Sequence, residues 1–293
     1  MKSSLLTRLQ RNGVLYLISG LILIVGIPLY QGLVLAAQGY GASLNNGGHT
    51  GAYLAWIGNH WPAFLLYRIL LIAAFALMIS LPFSLYRIIV AQELMEQQES
   101  DEEQDEIEDE NEGDDEDGDE GAEEDEDEEE GNEKESEDGL PEHAWRGKGF
   151  AVLAVWSGSA GIGLYVLGNL ISTVYLLISS QGTQAGGQLP DGFTILTNLF
   201  LVTSNTVGIG LLALATLLFG AMIARGGRNL WPGMWVAFGY VGIGVTALLS
   251  GSAVGIASAP GEGQAPLTTP AIFLLGLWVG WLGTMLMRLK PEE

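Results

Sequence analysis

Four uncharged polar side chains lie inside otherwise apolar stretches of this sequence, where they could form hydrogen bonds to a solute. They are Asn169, Thr173, Asn198 and Asn205. Asn198 and Asn205 are seven residues apart and Asn169 and Thr173 are four apart, so on an α-helix each pair shares one face. Polar groups facing lipid would have no partners, so we expect these residues to point into a helix bundle. There they either bond one helix to another or line a path for a small uncharged polar solute.

Arg68, in the sequence AFLLYRILL, is the one basic residue inside an apolar stretch. It could bind an anionic solute or a lipid headgroup. The other interpretation is that the long side chain extends through the lipid to the headgroup region. Acidic residues are absent from the apolar stretches. Because carriers coupled to protons or cations usually keep an intramembrane carboxylate, this class is disfavoured.

The residue types that carry most enzymatic chemistry are scarce. The chain has no cysteine and three histidines, none of them within an apolar stretch. His49 and His60 could hold a metal between them, but two ligands without a nearby carboxylate make a weak site. We therefore predict no metal, no cofactor, no catalytic residue and no enzymatic activity. We also expect no nucleic-acid partner.

The apolar stretches predict an all-α bundle that crosses a membrane six times, because about 20 apolar residues span the bilayer core. Residues 1–92 form a predicted two-span unit, and residues 143–293 form a four-span unit. Pro82, within the second stretch, predicts a kink. The predicted spans are 14–36, 63–85, 149–178, 196–223, 230–256 and 270–287.

The distribution of basic residues predicts that both termini are cytoplasmic in a multi-pass protein of the cell membrane. Lys and Arg flank one end of every predicted span, whereas the loops 37–62, 179–195 and 257–269 contain neither residue type. Basic loops stay on the cytoplasmic side of a membrane. The first span also resembles a secretory signal that ends at Leu35-Ala36-Ala37, but its apolar core is longer than that of a signal. We expect it to be retained, and cleavage would leave five spans in the same orientation.

The segment 93–142 is a predicted disordered cytoplasmic loop. It contains 31 of the 35 acidic residues of the chain and one basic residue, Lys134. Such a run has little apolar surface to bury and cannot offset the entropy of ordering its backbone. It could serve as a solvated linker, attract a basic cytoplasmic protein, or buffer cations. In composition it resembles acid-rich segments of membrane proteins from halophilic archaea, a resemblance that identifies no family.

Small residues at four-residue spacing predict close helix packing. Gly251 and Gly255 form one G-x-x-x-G pair, and Gly276 and Gly280 form another. Such faces let helix backbones approach closely in lipid. One of these faces could also serve a homodimer.

These patterns favour a non-enzymatic membrane component, a subunit or scaffold whose acidic loop engages a cytoplasmic partner. The alternative is a facilitator or permease for a small uncharged polar solute, which the Asn and Thr residues of the third and fourth spans indicate. The lipid bilayer is a partner under either hypothesis.

Overall fold

The computed structural model describes residues 3–44, 51–92, 145–186, 189–258 and 266–289, and within these ranges all regular secondary structure is helical. The predicted acidic loop 93–142 lies outside the described residues, and so does His49. The α-helices are Ser3–Leu21, Ile27–Tyr30, Tyr40–Leu44, Gly51–Asn59, Trp61–Leu77, 81–92, Trp145–Gly186, Phe193–Leu201, Ile209–Leu230, Gly233–Ser258 and Thr268–Met287. Three π-helical segments, Ile22–Gly26, Gln31–Leu35 and Val202–Gly208, interrupt them.

Within the described ranges, six of the resulting helical rods are long and apolar enough to cross a membrane, which confirms the predicted all-α class and the prediction of six membrane-length helices. A helix suits this environment because it satisfies its backbone hydrogen bonds within itself. The rods are named span 1 to span 6: Leu6–Leu35, Trp61–Gln92, Gly149–Gly182, Phe193–Arg228, Gly233–Ser258 and Thr268–Met287.

The starts of spans 1 and 5 differ from the prediction, the first where polar residues find partners and the second next to a proline. Span 1 begins eight residues before the predicted start at residue 14, at Leu6. Its polar residues are accommodated because Gln10 Nε2 donates to the Leu289 carbonyl at 3.0 Å and Asn12 Nδ2 donates to Ser84 Oγ at 3.0 Å. Span 5 begins after Pro232, at Gly233.

Span 2 is interrupted just before Pro82, as a proline inside a helix requires. Its first helix ends at Leu77, residues 78–80 form a turn, and the helix resumes at residue 81. Proline has no N–H group to donate, and its ring collides with the carbonyl of the preceding turn. The Leu81 N–H instead bonds to the Met78 carbonyl at 2.8 Å.

Glycines set the closest helix approaches. A side chain at Gly20 of span 1 would meet the carbonyl of Gly276 in span 6 at 2.7 Å. Gly161 of span 3 faces Gly208 of span 4 in the same way, with a 2.7 Å approach to the Gly208 carbonyl. Span 1 therefore packs along span 6, so the predicted two-span and four-span units are in direct contact.

Two short helices between spans 1 and 2 cover one end of the bundle. Tyr40–Leu44 and Gly51–Asn59 pack on each other, and the second also packs on span 3. Trp56 fixes the arrangement, because its indole Nε1 donates to the Gln38 carbonyl at 2.7 Å and its ring lies 4.9 Å from the ring of Tyr40. Tyr40 and Tyr53 of these helices line the cavity described below.

Candidate functional site

A cavity of about 180 Å³ lies between the spans, on the side of the bundle nearest the loops that lack basic residues. All six spans contribute to its walls, as do the two short covering helices. Its polar lining is Gln31, Tyr40, Tyr53, Tyr67, Arg68, Tyr165, Asn169, Ser172, Thr197, Ser204, Asn205, Thr268 and Thr269. The remaining wall is apolar, with Leu23, Ile27, Leu71 and Ile272 among its side chains.

The three π-helical segments found in the described ranges all lie beside this cavity. Ile22–Gly26 contributes Leu23, and Gln31–Leu35 contributes Gln31. Val202–Gly208 contributes Ser204 and Asn205. In a π-helical turn the hydrogen bond closes over five residues instead of four, which rotates side chains away from the faces that an α-helix would give them. Such turns are frequent at functional sites.

Arg68 turns inward to this cavity. Its Nη1 donates to Oδ1 of Asn169 at 2.8 Å, and its Cζ lies 5.2 Å from the centre of the Phe64 ring. Its buried Nε has no hydrogen-bond partner among the described residues. The guanidinium therefore does not extend along the lipid-facing surface towards the headgroups, as one of the two sequence interpretations supposed.

No carboxylate neutralises Arg68 within the part of the chain that the structure describes. The only acidic residue in those ranges is Asp191, which is exposed and is not among the residues that line the cavity. The partner of Arg68 is instead a neutral amide, which accepts a hydrogen bond and carries no charge. The described part of the cavity thus has one uncompensated positive charge.

Asn169 is held in a single orientation. Its Nδ2 donates to the Tyr165 carbonyl at 2.9 Å, so its Oδ1 is the atom that faces Arg68. The Thr173 hydroxyl donates to the Asn169 carbonyl at 2.6 Å. Both side chains are buried, Asn169 being 3% and Thr173 4% exposed. The predicted pair therefore points into the bundle, where Asn169 positions the guanidinium and Thr173 bonds only to its own helix.

The other predicted pair is divided. Asn205 lines the cavity and donates from Nδ2 to Ser204 Oγ at 3.1 Å. Asn198 is not a lining residue, and its buried Oδ1 has no hydrogen-bond partner among the described residues. The neighbouring Thr197 lines the cavity instead. Because Asn205 lies within the π-helical segment Val202–Gly208 and Asn198 lies in the α-helix before it, a seven-residue separation no longer brings them to the same face.

Four tyrosines around Arg68 were not among the predicted site residues. The ring centres of Tyr53 and Tyr67 lie 6.3 Å and 6.2 Å from that of Tyr40. The Tyr67 hydroxyl accepts a hydrogen bond from Gln31 Nε2 at 2.9 Å, and Tyr165 lines the cavity from span 3. Burial, followed by the neighbouring Tyr53 and Tyr67, raises the pKa of Tyr40 well above its usual value, so this phenol stays protonated. A tyrosine beside an apolar stretch ordinarily indicates the membrane interface, which is why sequence alone gave no signal for these residues.

The predicted packing glycines lie in two different settings. A Cβ added at Gly276 would approach Leu23 and Ile24 of span 1. A Cβ added at Gly280 would lie 3.9 Å from the Gly20 Cα. Gly251 faces the side chain of Leu267. A Cβ added at Gly251 would lie 2.6 Å from the Leu267 Cδ1. Gly255 accepts a hydrogen bond from Ser258 through its carbonyl at 2.9 Å.

His60 lies outside the cavity. Its Nδ1 is 3.1 Å from the Trp56 carbonyl oxygen, and its ring stacks on the Trp56 ring at 5.2 Å. Within the described ranges, no three His, Cys, Asp or Glu side chains come together as metal ligands would.

Six membrane-length helices around a polar cavity define the chain as an integral, multi-pass α-helical membrane protein. Comparisons with protein-family models, curated proteins and solved structures found no match.

Proposed function

We propose that this protein is a facilitator that binds a small polar solute in the cavity among its six spans. The observation that supports this most directly is the meeting of Arg68, Asn169 and Asn205, from three different spans, at one cavity. The sequence-based hypothesis rested on amide groups of spans 3 and 4. Two of those amides, Asn169 and Asn205, line this cavity.

The composition of the walls suits a site for a solute better than a packing defect. Polar groups within a membrane are costly unless they are paired or face a water-filled space. A cavity with a polar half and an apolar half is typical of small-molecule sites, in which a few polar groups orient the ligand. The irregular helices beside it support transport as well as binding, because many carriers hold their solute where helices depart from α geometry.

The two asparagines of span 4 provide a matched test. In proteoliposomes, we expect Asn205→Leu to lower the rate of solute exchange by roughly 2- to 10-fold, because the variant loses one hydrogen bond to the solute. Asn198→Leu, a change of the same type on the same span outside the cavity, should leave exchange unaltered. The panel is urea, glycerol, acetamide, benzamide and benzoate. Equal exchange by both variants and the unaltered protein, or no exchange of any compound, would contradict the proposal.

A non-catalytic role is part of this proposal, with no enzymatic activity and no resident cofactor. Its support is the amino-acid composition, because the chain has no cysteine and only three histidines. Localisation in the cell membrane, with both termini and the acidic loop in the cytoplasm, is proposed from the distribution of basic residues.

A second candidate function is the subunit or scaffold role, in which the acidic loop binds a basic cytoplasmic protein. Its support is the negative charge of the segment 93–142, which contains 31 acidic residues and one basic residue. Such attraction acts over about 10 Å and weakens as salt is added. The test is affinity purification in mild detergent with and without residues 97–139, at low and high salt. The same co-purifying proteins from both forms of the chain would contradict this role.

A further inference from the structure

We infer that the solute is a small organic monocarboxylate, whose carboxylate binds Arg68 while its apolar part lies against the aliphatic wall. This inference rests on the proposed solute-binding function and replaces the uncharged solute of the sequence-based hypothesis with an anion. Three features of the cavity support it, namely its charge, the free capacity of the guanidinium and the size of its apolar half.

The first feature is charge. Arg68 lies in a membrane span, and Asn169, the one side chain among the described residues to which it is hydrogen-bonded, is neutral. Among the described residues no acidic side chain lines the cavity. A buried charge is stable when a counter-charge is near, and ionisable residues inside a membrane usually mark an ion or substrate path. A ligand with one negative charge would complete the pair, whereas a dianion would introduce a second buried charge without a partner.

The second feature is the geometry of the guanidinium. An arginine presents five N–H groups in a planar fork that matches the two oxygens of a carboxylate. Asn169 accepts from Nη1, and Nε has no partner among the described residues. Because Asn169 is itself fixed by its bond to the Tyr165 carbonyl, the fork is held in place before a ligand arrives.

The third feature is size. The cavity is about 180 Å³, and an apolar cavity of about 150 Å³ is large enough for benzene. Leu23, Leu71 and Ile272 provide an apolar surface in the same cavity as Arg68. A carboxylate with a ring or a short branched chain fits this space. The acyl chains of a phospholipid do not, although a lipid phosphodiester shares the single negative charge.

The experiment compares benzoate with benzamide, which has nearly the same shape and no charge. The full chain is placed in phosphatidylcholine nanodiscs, and ligand affinity is taken from the shift of the thermal unfolding midpoint with concentration. A charge-assisted pair predicts that benzoate binds about 10- to 100-fold more tightly than benzamide. Inorganic phosphate and nanodiscs containing phosphatidylglycerol form two further arms.

Two variants locate the charge. Asn169→Asp would give Arg68 a carboxylate of its own at the same position. We expect it to weaken benzoate binding at least about 10-fold and to leave benzamide binding unchanged. Arg68→Gln should reduce benzoate to the affinity of benzamide. The control is Arg87→Gln, an exposed arginine at the other end of span 2, which should bind benzoate like the unaltered protein.

The outcomes separate this inference from the proposed function. Equal binding of benzoate and benzamide to the unaltered protein would overturn the anion and leave the solute-binding function standing. Stabilisation by phosphatidylglycerol or phosphate without any by benzoate would assign Arg68 to a phosphate group and overturn the carboxylate. No binding by any member of the wider solute panel would overturn both. The comparison in the unaltered protein decides the question even if Arg68→Gln does not fold.

Discussion

The contact between spans 1 and 6 can be tested with a single methyl group. Gly20→Ala would place a Cβ 2.7 Å from the Gly276 carbonyl oxygen and 2.9 Å from the Gly280 Cα and nitrogen. These are backbone atoms, so no side-chain rotation can relieve the overlap. Ordinary contact begins near 3.4 Å, so the two spans must separate by about 0.7 Å, a gap that removes a quarter to a half of the dispersion energy at the contact.

We expect this separation to destabilise the fold by about 1–3 kcal/mol, the range for an added methyl group in a close-packed site. The higher helix propensity of alanine offsets at most about 1 kcal/mol of that loss. Relative to a Gly→Ala control that shares this gain in propensity, the loss of about 1–3 kcal/mol corresponds to an unfolding midpoint lower by roughly 2–12 °C for a chain of this size. Leu23 lies one turn from Gly20 and lines the cavity, so the same variant should also weaken ligand binding.

The control lies on the same span. At Gly26 an added Cβ would have its nearest neighbour at 3.8 Å, a side-chain atom of Ile22 in the same turn. Gly26→Ala should therefore keep the midpoint of the unaltered protein or raise it slightly, since it gains the helix propensity of alanine without an overlap. Both variants are measured by thermal unfolding in nanodiscs of one lipid composition. If Gly20→Ala unfolds at the same temperature as Gly26→Ala, the backbone contact between spans 1 and 6 is refuted, and the wall of the cavity that depends on it is refuted as well.

Three further predictions concern other parts of the molecule. Thr216 and Thr246 bond across spans 4 and 5 at 2.9 Å, so a double-mutant cycle of Thr216→Val and Thr246→Val should give a coupling of about 0.6 kcal/mol, and additive effects would exclude this bond. Burial raises the pKa of Tyr40, so the folded state retains a proton that the unfolded chain loses, and stability should decline above the usual tyrosine pKa of about 10. A Tyr40→Phe titration, followed by thermal unfolding, should show a shallower decline, and an identical decline would show that Tyr40 is not responsible. The chain has no cysteine, so a single introduced cysteine reports its own side of the membrane. Ser258→Cys should react with an impermeant maleimide on intact cells, whereas Ser136→Cys should react only after permeabilisation. The reverse labelling pattern would show that the predicted orientation is wrong.

The sequence predicted the helical spans well because a long apolar run has few alternatives in a membrane. The interruption near Pro82 could also be predicted, since proline lacks a backbone donor wherever it occurs. The extension of span 1 to Leu6 could not. It depends on Gln10 and Asn12 finding partners at residues 289 and 84, and such long-range bonds leave no local pattern.

Some residues of the candidate site could be singled out from the sequence, but their arrangement could not. Arg68 and Asn169 were both singled out, yet they are 101 residues apart in the chain and their bond follows from how spans 2 and 3 pack. The separation of Asn198 from Asn205 results from a π-helical segment, which apolar periodicity does not reveal. The glycine pairs show the same limit. Gly276 and Gly280 could be identified as a packing face, but their partner Gly20 lies in a different predicted unit.

The neutrality of Asn169 favours the proposed binding site over a purely structural bridge between spans 2 and 3. If Arg68 served only to connect spans 2 and 3, an aspartate at residue 169 would form a complete ion pair, and an apolar pair of similar volume would avoid the cost of burying charge altogether. The chain has neither. Its amide holds the guanidinium through one hydrogen bond at 2.8 Å while the positive charge is left uncompensated by any described residue. An arrangement that orients a cation without neutralising it is what an anionic ligand requires, because the ligand then supplies the missing charge.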